Sequence, residues 1–250
     1  MSQNPAHPVL PLAQLPFNIL TDVMSPAEWH KQTRKACSKL PVLDDVLTMI
    51  EKRQVQWGDN ISAVLDDGDI TLREAELLFY LMREIQPILT VETGLGKGVA
   101  AAVMIAGHMH NGLNGGHVPL QKKHENTKDN PGVALLNALP LTGFQIMDHE
   151  SALVLPQMYL QQLNDGLKFA YLNNATEFDV LMMEYFFVSR LLNEGGIIAI
   201  DTRERVRREL VDYVRRELHD HAVREIDEHM TLIQKPQIMA LSQHSPDIRH

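Results

Sequence analysis

Apolar positions along the chain change their spacing near residue 87. Before it they recur at helical intervals. Ser25-Pro26-Ala27-Glu28 places Ser at the N-cap, Pro at the first helical position and Glu three residues on, which predicts a helix start. Helices over 26–39 and 42–53 follow, broken at Pro41, and then a loop-rich stretch over 57–70. Thr71-Leu72-Arg73-Glu74 forms a second capping box and opens a helix with Leu72, Ala75, Leu78, Phe79 and Met82 on one face. The first twenty residues carry prolines at 5, 8, 11 and 16 and read as an extended arm, because proline lacks the amide N–H and restricts its predecessor.

After Pro87 the run Ile88–Val91 is apolar without alternation, as a strand buried on both faces requires. Further strands are expected at 117–121, 143–148, 168–173, 195–201 and 229–235. Helices are expected at 97–109, 131–138, 150–164, 176–192 and 202–219. In the last of these, Val206, Leu210, Val214 and Leu218 make the buried stripe, and its arginines, mixed with acids, read as a solvated face. Alternation of strands and helices predicts a doubly wound α/β sheet, mostly parallel. Glu225–Lys235 reads as an antiparallel hairpin closing the sheet edge, and 236–250 as a tail.

Composition narrows the function classes. The 250 residues are 44% hydrophobic and 22% charged, with 23 Lys and Arg against 32 Asp and Glu, a net charge of −9. A basic stripe for a phosphate backbone is missing, so no nucleic-acid partner is expected. The single cysteine, Cys37, excludes an intrachain disulfide framework and fits a reducing compartment. The near-continuous apolar run Val99–Gly107 is about half of the ~20 residues a membrane span needs. With no charged-then-apolar leader pattern, a cytoplasmic, membrane-free protein is expected.

The richest stretch is Val91-Glu92-Thr93-Gly94-Leu95-Gly96-Lys97-Gly98. A buried strand ends in an acid, passes three alternating glycines and enters an Ala-rich helix whose N-terminus favours an anion or a close backbone contact. A phosphate-binding P-loop needs glycine at 91, which is Val91, and Ser or Thr after Lys97, which is Gly98. The dinucleotide fingerprint needs its third glycine at 99, which is Val99. The arrangement acid-x-Gly-x-Gly-x-Gly remains.

This turn resembles motif I of the class I S-adenosylmethionine-dependent methyltransferases, in the small-molecule O-methyltransferase-like branch. The capped helix at Thr71–Glu76, the Glu177-Phe178-Asp179 helix start, Leu191–Gly196 and Ile200-Asp201 extend the likeness over about 70–235. The resemblance implies a seven-stranded sheet in the order 3-2-1-4-5-7-6 with the seventh strand antiparallel, and S-adenosyl-L-methionine bound at the strand C-termini. The switch-point rule for doubly wound sheets puts a ligand crevice at the same place.

The resemblance further implies site residues. Glu92 faces the ammonium group of the cofactor, or else caps a neighbouring backbone. Gly94, Gly96 and Gly98 let the main chain reach it. Relatives grip the ribose with an acid ending the second strand; this chain departs from that pattern with Gln121, and only Glu125 follows nearby. Asp148, followed by His149 in the same cofactor-binding turn, matches the acceptor for the adenine amino group; alternatively Asp148 or Ser151 is the N-cap of the helix that follows. Asn173 and Asn174 stand where metal-dependent relatives carry carboxylates; neutral amides disfavour a Mg²⁺-type site and suit orienting a substrate, or an Asx turn with Thr176 as N-cap. Asp201 is the candidate general base or substrate anchor. The twelve histidines lack convergent spacing for zinc, Tyr171 and Tyr185 read as core aromatics, and Cys37 has no histidine base, so no metal and no thiol nucleophile are expected.

Three organisational units are expected: a helical arm or lid over 1–70, the α/β domain over 71–235 and the tail over 236–250. Apolar residues in the arm, Phe17, Ile19, Leu20, Trp29 and Trp57, suit a small substrate or a homodimer contact. The expected function is methyl transfer to a small molecule. Two alternatives stay open: an enzyme consuming the same cofactor by intramolecular alkylation, releasing methylthioadenosine, and a catalytically silent binding protein.

Overall fold

The computed structural model describes residues 9–10, 17–57, 62–112, 115–121, 130–161, 166–173 and 175–238. In chain order the elements are β1 (Val9–Leu10), α1 (Pro26–Cys37), α2 (Pro41–Glu51), β2 (Gln54–Gln56), β3 (Ser62–Val64), α3 (Leu72–Ile85), β4 (Leu89–Thr93) and α4 (Val99–Asn111). They continue with β5 (Gly116–Leu120), α5 (Pro131–Ala138), α6 (Ser151–Leu160), β6 (Leu167–Leu172), α7 (Phe178–Leu191), β7 (Ile197–Asp201), α8 (Arg205–Glu217), β8 (Ala222–Glu225), β9 (Met230–Gln234) and β10 (Gln237–Ile238).

The main sheet has six strands in the order β5-β4-β6-β7-β9-β8. Strands β5, β4, β6 and β7 run parallel, and β9 is antiparallel to both β7 and β8. The expected seventh strand, over 143–148, is therefore a correction: beside β5 lies a segment that forms two isolated parallel bridges, His117 to Phe144 and Leu120 to Met147. Backbone bonds run from His117 N to Gly143 O, Gln145 N to His117 O, Met147 N to Pro119 O and Gln121 N to Met147 O. The missing rung is the one residue 119 would donate to Gln145, and Pro119 has no N–H. The segment still occupies the outer position, so the order of the sheet is the one the resemblance implies.

Burial follows the apolar runs. In β6 and β7, Phe169, Tyr171, Ile197 and Ala199 face one core, while Ala170, Leu172, Ile198 and Ile200 face the other. Helices α3, α4 and α5 cover the first face, with α1 and α2 packed outside them; α6, α7 and α8 cover the second. Helix α4 is buried from Val99 to His108 because the sheet lies on one side and α2 and α3 on the other. Its alanines are the small residues such a sandwich accepts.

The two capping boxes turn out differently. Thr71 and Glu74 close theirs, with Thr71 Oγ1 accepting from Glu74 N at 3.3 Å and Thr71 N donating to Glu74 Oε2 at 2.7 Å. Ser25 is an N-cap without a side-chain bond, and Pro26 begins the helix. Pro41 likewise starts α2 rather than merely breaking the preceding helix.

Residues 17–23 strap the edge of the sheet away from the strand C-termini. Gln234, paired with the first residue of β7, accepts from Ile19 N at 3.0 Å and donates to Phe17 O at 2.6 Å; Arg224 donates to Ile19 O at 2.6 Å. The loop after β3 reaches the glycine turn through Asp66 and Asp69, which bond Lys97. Strand β1 pairs antiparallel with β10, so Gln237 and Ile238, placed in the expected tail, join a two-stranded ribbon. Among the described residues no helix is long and apolar enough to cross a membrane.

Candidate functional site at the strand C-termini

The glycine turn is built by backbone conformation. Gly94, Gly96 and Gly98 have φ of +88°, +52° and +77°. An ideal Cβ on Gly96 meets nothing within 4 Å, so that position is open, and its demand is conformational. At Gly98 the demand is also steric, since α5 begins against it. Gly94 N donates to Leu120 O at 3.0 Å, which locks the end of β4 to the end of β5. Lys97 turns away and bonds Asp66 at 2.9 Å and Asp69 at 2.5 Å, pinning the loop after β3 onto the turn.

Below the turn, four buried side chains form a string. His108 Nε2 lies 2.9 Å from Thr90 Oγ1, Thr90 Oγ1 lies 2.9 Å from His117 Nδ1, and His117 Nε2 lies 3.2 Å from Glu92 Oε2. Glu92 and His117 are fully buried. Burial holds the Glu92 carboxyl well above the usual carboxylate range. It pushes His117 down to about 3, with His108 adding to the effect, and His108 down to about 4. Glu92 Oε1 and His108 Nδ1 are buried without a partner. Glu92 thus caps no backbone through Oε1, and this bare oxygen suits a cationic ligand group.

A cavity of about 450 Å³ opens on the α6–α7 side of the turn, lined by Gly94, Leu120, Ser151, Ala175, Thr176 and Glu184 among others. Glu184 forms its wall, with Ser151 Oγ donating to Oε1 at 2.6 Å and Thr93 Oγ1 to Oε2 at 3.1 Å. Burial raises the Glu184 carboxyl, opposed by those two hydrogen bonds and by Arg207. Glu150 and Glu177 also line the cavity, so three carboxyl groups and no lysine or arginine surround it among the described residues. That charge suits a sulfonium or an ammonium.

Asp148 and His149 sit between the outer segment and α6. Asp148 Oδ1 is buried without a partner, and the N-cap position of α6 is Glu150, so Asp148 does not cap the helix. Ser151 is the first helical residue and serves Glu184 instead. Gln121 is 5% exposed at the end of β5, beside Asp148 through its backbone bond to Met147.

At the ends of β6 and β7 the carboxylate of Asp201 is engaged. Its Oδ1 accepts from Arg203 N at 2.8 Å and its Oδ2 from Arg203 Nη1 at 2.9 Å. Arg203 Nη2 also reaches Glu74 Oε2 at 2.7 Å, so the capping-box acid is shared. Arg207 Nη1 donates to Asn173 O at 2.5 Å, fixing the turn after β6. The Asn173 side chain is half-buried, and Asn174 lies outside the described residues, as does Glu125. Beyond Asp201 a second cavity, about 840 Å³, is lined by Thr202, Arg203, Arg208 and His229 among others. The hydroxyl of buried Tyr171 is raised by burial and then by Asp201, Glu74 and Glu92. Among the described residues no three His, Cys, Asp or Glu side chains converge as a metal site would require.

Of the residues the sequence pointed to, Gly94 lines the cavity; Gly96 and Glu92 belong to the adjoining turn and strand end, and Gln121 follows the lining residue Leu120. Asn173 and Asp201 lie farther along the same edge. Glu184 and Arg203 were not singled out by sequence, and His117 was weighed there only among the histidines considered for zinc. Only His117 carried a signal, a histidine inside an otherwise apolar strand pattern.

No family model and no curated protein matches the chain. Solved structures do. The O-methyltransferase TomG from Streptomyces achromogenes, involved in tomaymycin synthesis and crystallised with SAM, superposes with a TM-score of 0.54 at 12% identity, over 87% of this chain and 100% of that one. The SAH-bound methyltransferase PaMTH1 of Podospora anserina gives 0.52 at 13% identity, over 90% and 98%. Cofactor-bound Rv0187 from MTB gives 0.50 at 13% identity, over 78% and 89%. The chain has the class I methyltransferase fold.

Proposed function

We propose that this chain is an S-adenosyl-L-methionine-dependent methyltransferase acting on a small molecule. The observation that carries the reading is the turn of three positive-φ glycines beside an acid-lined cavity, at the strand edge where ligands bind in doubly wound sheets. The solved structures of the same fold that hold SAM or SAH support it. The cofactor, when bound, supplies a methyl group already activated by its sulfonium leaving group.

The residues present fit that ligand. Gly94 and Gly96 admit the main chain to close approach, and Glu92 Oε1 offers an unused acceptor for a cation. Asp148 Oδ1 offers a second unused acceptor on the nucleoside side, next to Gln121 and His149. Asn173 and the larger cavity beyond Asp201 are assigned to the acceptor side; Asn174 keeps that assignment from the sequence alone. Asp201 acts there by holding Arg203. Chemistry of this kind rests on holding the acceptor in line, which supplies roughly 7–11 kcal/mol.

Calorimetric titration with S-adenosylmethionine and S-adenosylhomocysteine tests the cofactor, with micromolar binding expected. Mass identification of every product formed from the cofactor with panels of small amines, phenols and carboxylic acids tests the reaction. S-adenosylhomocysteine with a methylated acceptor supports it. Methylthioadenosine as by-product replaces it with intramolecular alkylation, and binding without turnover replaces it with a silent binding protein.

A further inference from the structure

Glu92, His117, Thr90 and His108 bury four hydrogen-bonding side chains where an apolar core would have served. Thr90 Oγ1 also lies 3.5 Å from Gly116 O, a second acceptor for its hydroxyl; with every bond kept along the string, two directions are self-consistent. With Glu92 as a carboxylic acid, its O–H donates to His117 Nε2, His117 Nδ1–H donates to Thr90 Oγ1, and the Thr90 hydroxyl donates to His108 Nε2. With Glu92 as a carboxylate, every bond reverses, and His117 Nε2–H donates to Glu92 Oε2. In both states one carboxyl oxygen is occupied by His117 and Oε1 has no partner.

We propose that His117, backed by Thr90 and His108, is the positioning residue for Glu92: it turns Oε1 toward the cationic group of the ligand and changes from hydrogen-bond acceptor to donor when that group binds. This rests on the functional reading above and goes beyond it, in assigning a coupled tautomer change to residues outside the glycine turn. In the unliganded protein burial favours the neutral form of the Glu92 carboxyl, and the contact to His117 Nε2 gives its O–H an acceptor. A ligand cation beside Oε1 favours the carboxylate, so the acid proton leaves. The reversed string holds one proton fewer: Glu92 is without its acid proton, His117 carries its hydrogen on Nε2 in place of Nδ1, His108 on Nε2 in place of Nδ1, and the Thr90 hydroxyl keeps one. The balance is one proton released per ligand bound. The other groups facing Glu92 do not replace it as donor. Tyr171, from β6, is itself held neutral, and Lys97 is turned to Asp66 and Asp69. Beyond Tyr171, Glu74, Asp201 and Arg203 pair among themselves.

The test is titration of the full chain with S-adenosylmethionine in buffers of different ionisation heat, from pH 5 to 8, with ring-nitrogen NMR of His117 before and after. The expected result is release of about one proton, with affinity rising about tenfold per pH unit below the Glu92 titration. His117 should move from the Nδ1–H to the Nε2–H tautomer. Glu92→Gln should bind without proton release and with a flat profile. His117→Gln, which keeps a donor and an acceptor, should bind within a few-fold of wild type, and His117→Leu more than tenfold more weakly. Should His117→Leu fail to fold, the wild-type tautomer decides alone. Binding with no proton released and an unchanged His117 overturns this proposal and leaves the functional reading standing. No binding to the wild type overturns the functional reading first and this proposal with it.

Discussion

Gly98 and Gly132 meet backbone to backbone. A Cβ on Gly98 would stand 2.8 Å from both the Cα and the carbonyl oxygen of Gly132, and a Cβ on Gly132 would stand 2.6 Å from Gly96 O. The first turn of α5 therefore rests directly on the glycine turn, and Gly98 serves packing as well as conformation.

Substitution at the two turn glycines should separate these demands. Gly96→Ala should cost about 1–2 kcal/mol, the strain of a left-handed residue in open space. Gly98→Ala should cost roughly 2–5 kcal/mol, because backbone collision adds to the strain. Urea unfolding of both variants measures the difference, and equal losses would refute the packing role.

Acid should unfold the protein through its histidines. His117 and His108 have folded values depressed to about 3 and about 4, so the stability they contribute is complete above the ordinary histidine value of 6.5 and is lost as pH falls from there toward those values. Each contributes up to about 1.4 kcal/mol per pH unit across that window. The double variant His108→Gln/His117→Gln should flatten the stability profile between pH 6 and 4, read by thermal unfolding at each pH.

Glu92 carries the opposite sign. Its folded value is raised, so the native state favours its proton, and the contribution is present at low pH and fades as pH rises through the folded value. Glu92→Gln should therefore raise the melting temperature of the unliganded protein at pH 8 and change it little at pH 4. The same variant should bind the cofactor more weakly, so stability and binding move in opposite directions.

Arg203 should be the costliest exposed-side arginine to remove. It is 11% exposed and satisfies Glu74 and Asp201, which are 1% and 2% exposed. Arg203→Ala leaves both carboxylates buried without that partner and should cost about 3–5 kcal/mol. Denaturant midpoints compare it with Arg205→Ala, on the exposed face of α8, which should cost less than about 0.5 kcal/mol.

Lys97 should act on the loop rather than on the fold. Lys97→Met removes the contacts to Asp66 and Asp69 and should cost about 1 kcal/mol or less, because these pairs lie near solvent. Amide exchange over 65–70 should rise, and high salt should reproduce part of the effect in the wild type.

Strand and helix positions were legible because each depends on local pattern. Of the run Ile88–Val91, Leu89–Val91 fall in β4, which is buried from Thr90 onward, whereas Ile88 precedes the strand and is 56% exposed; 131–138 agrees with α5 to the residue. The outer strand was read too generously, since Pro119 on its neighbour removes a rung that the apolar pattern of 143–148 cannot reveal. At the site, the acid and glycines were legible because their chemistry is carried by consecutive residues.

The order of apolar runs and the spacing of Glu92, Gly94, Gly96 and Gly98 suffice to establish a doubly wound α/β sheet and to locate its ligand-binding edge, because strand burial and positive φ are properties of short segments. Which side chains meet there was decided by tertiary structure alone. Glu92 finds His117, 25 residues away, and Glu74 finds Arg203, 129 residues away, because β4 packs beside β5 and α3 lies over the end of β7. Such pairs cost the chain loop-closure entropy and leave no local signature, so only the folded register brings their charges together.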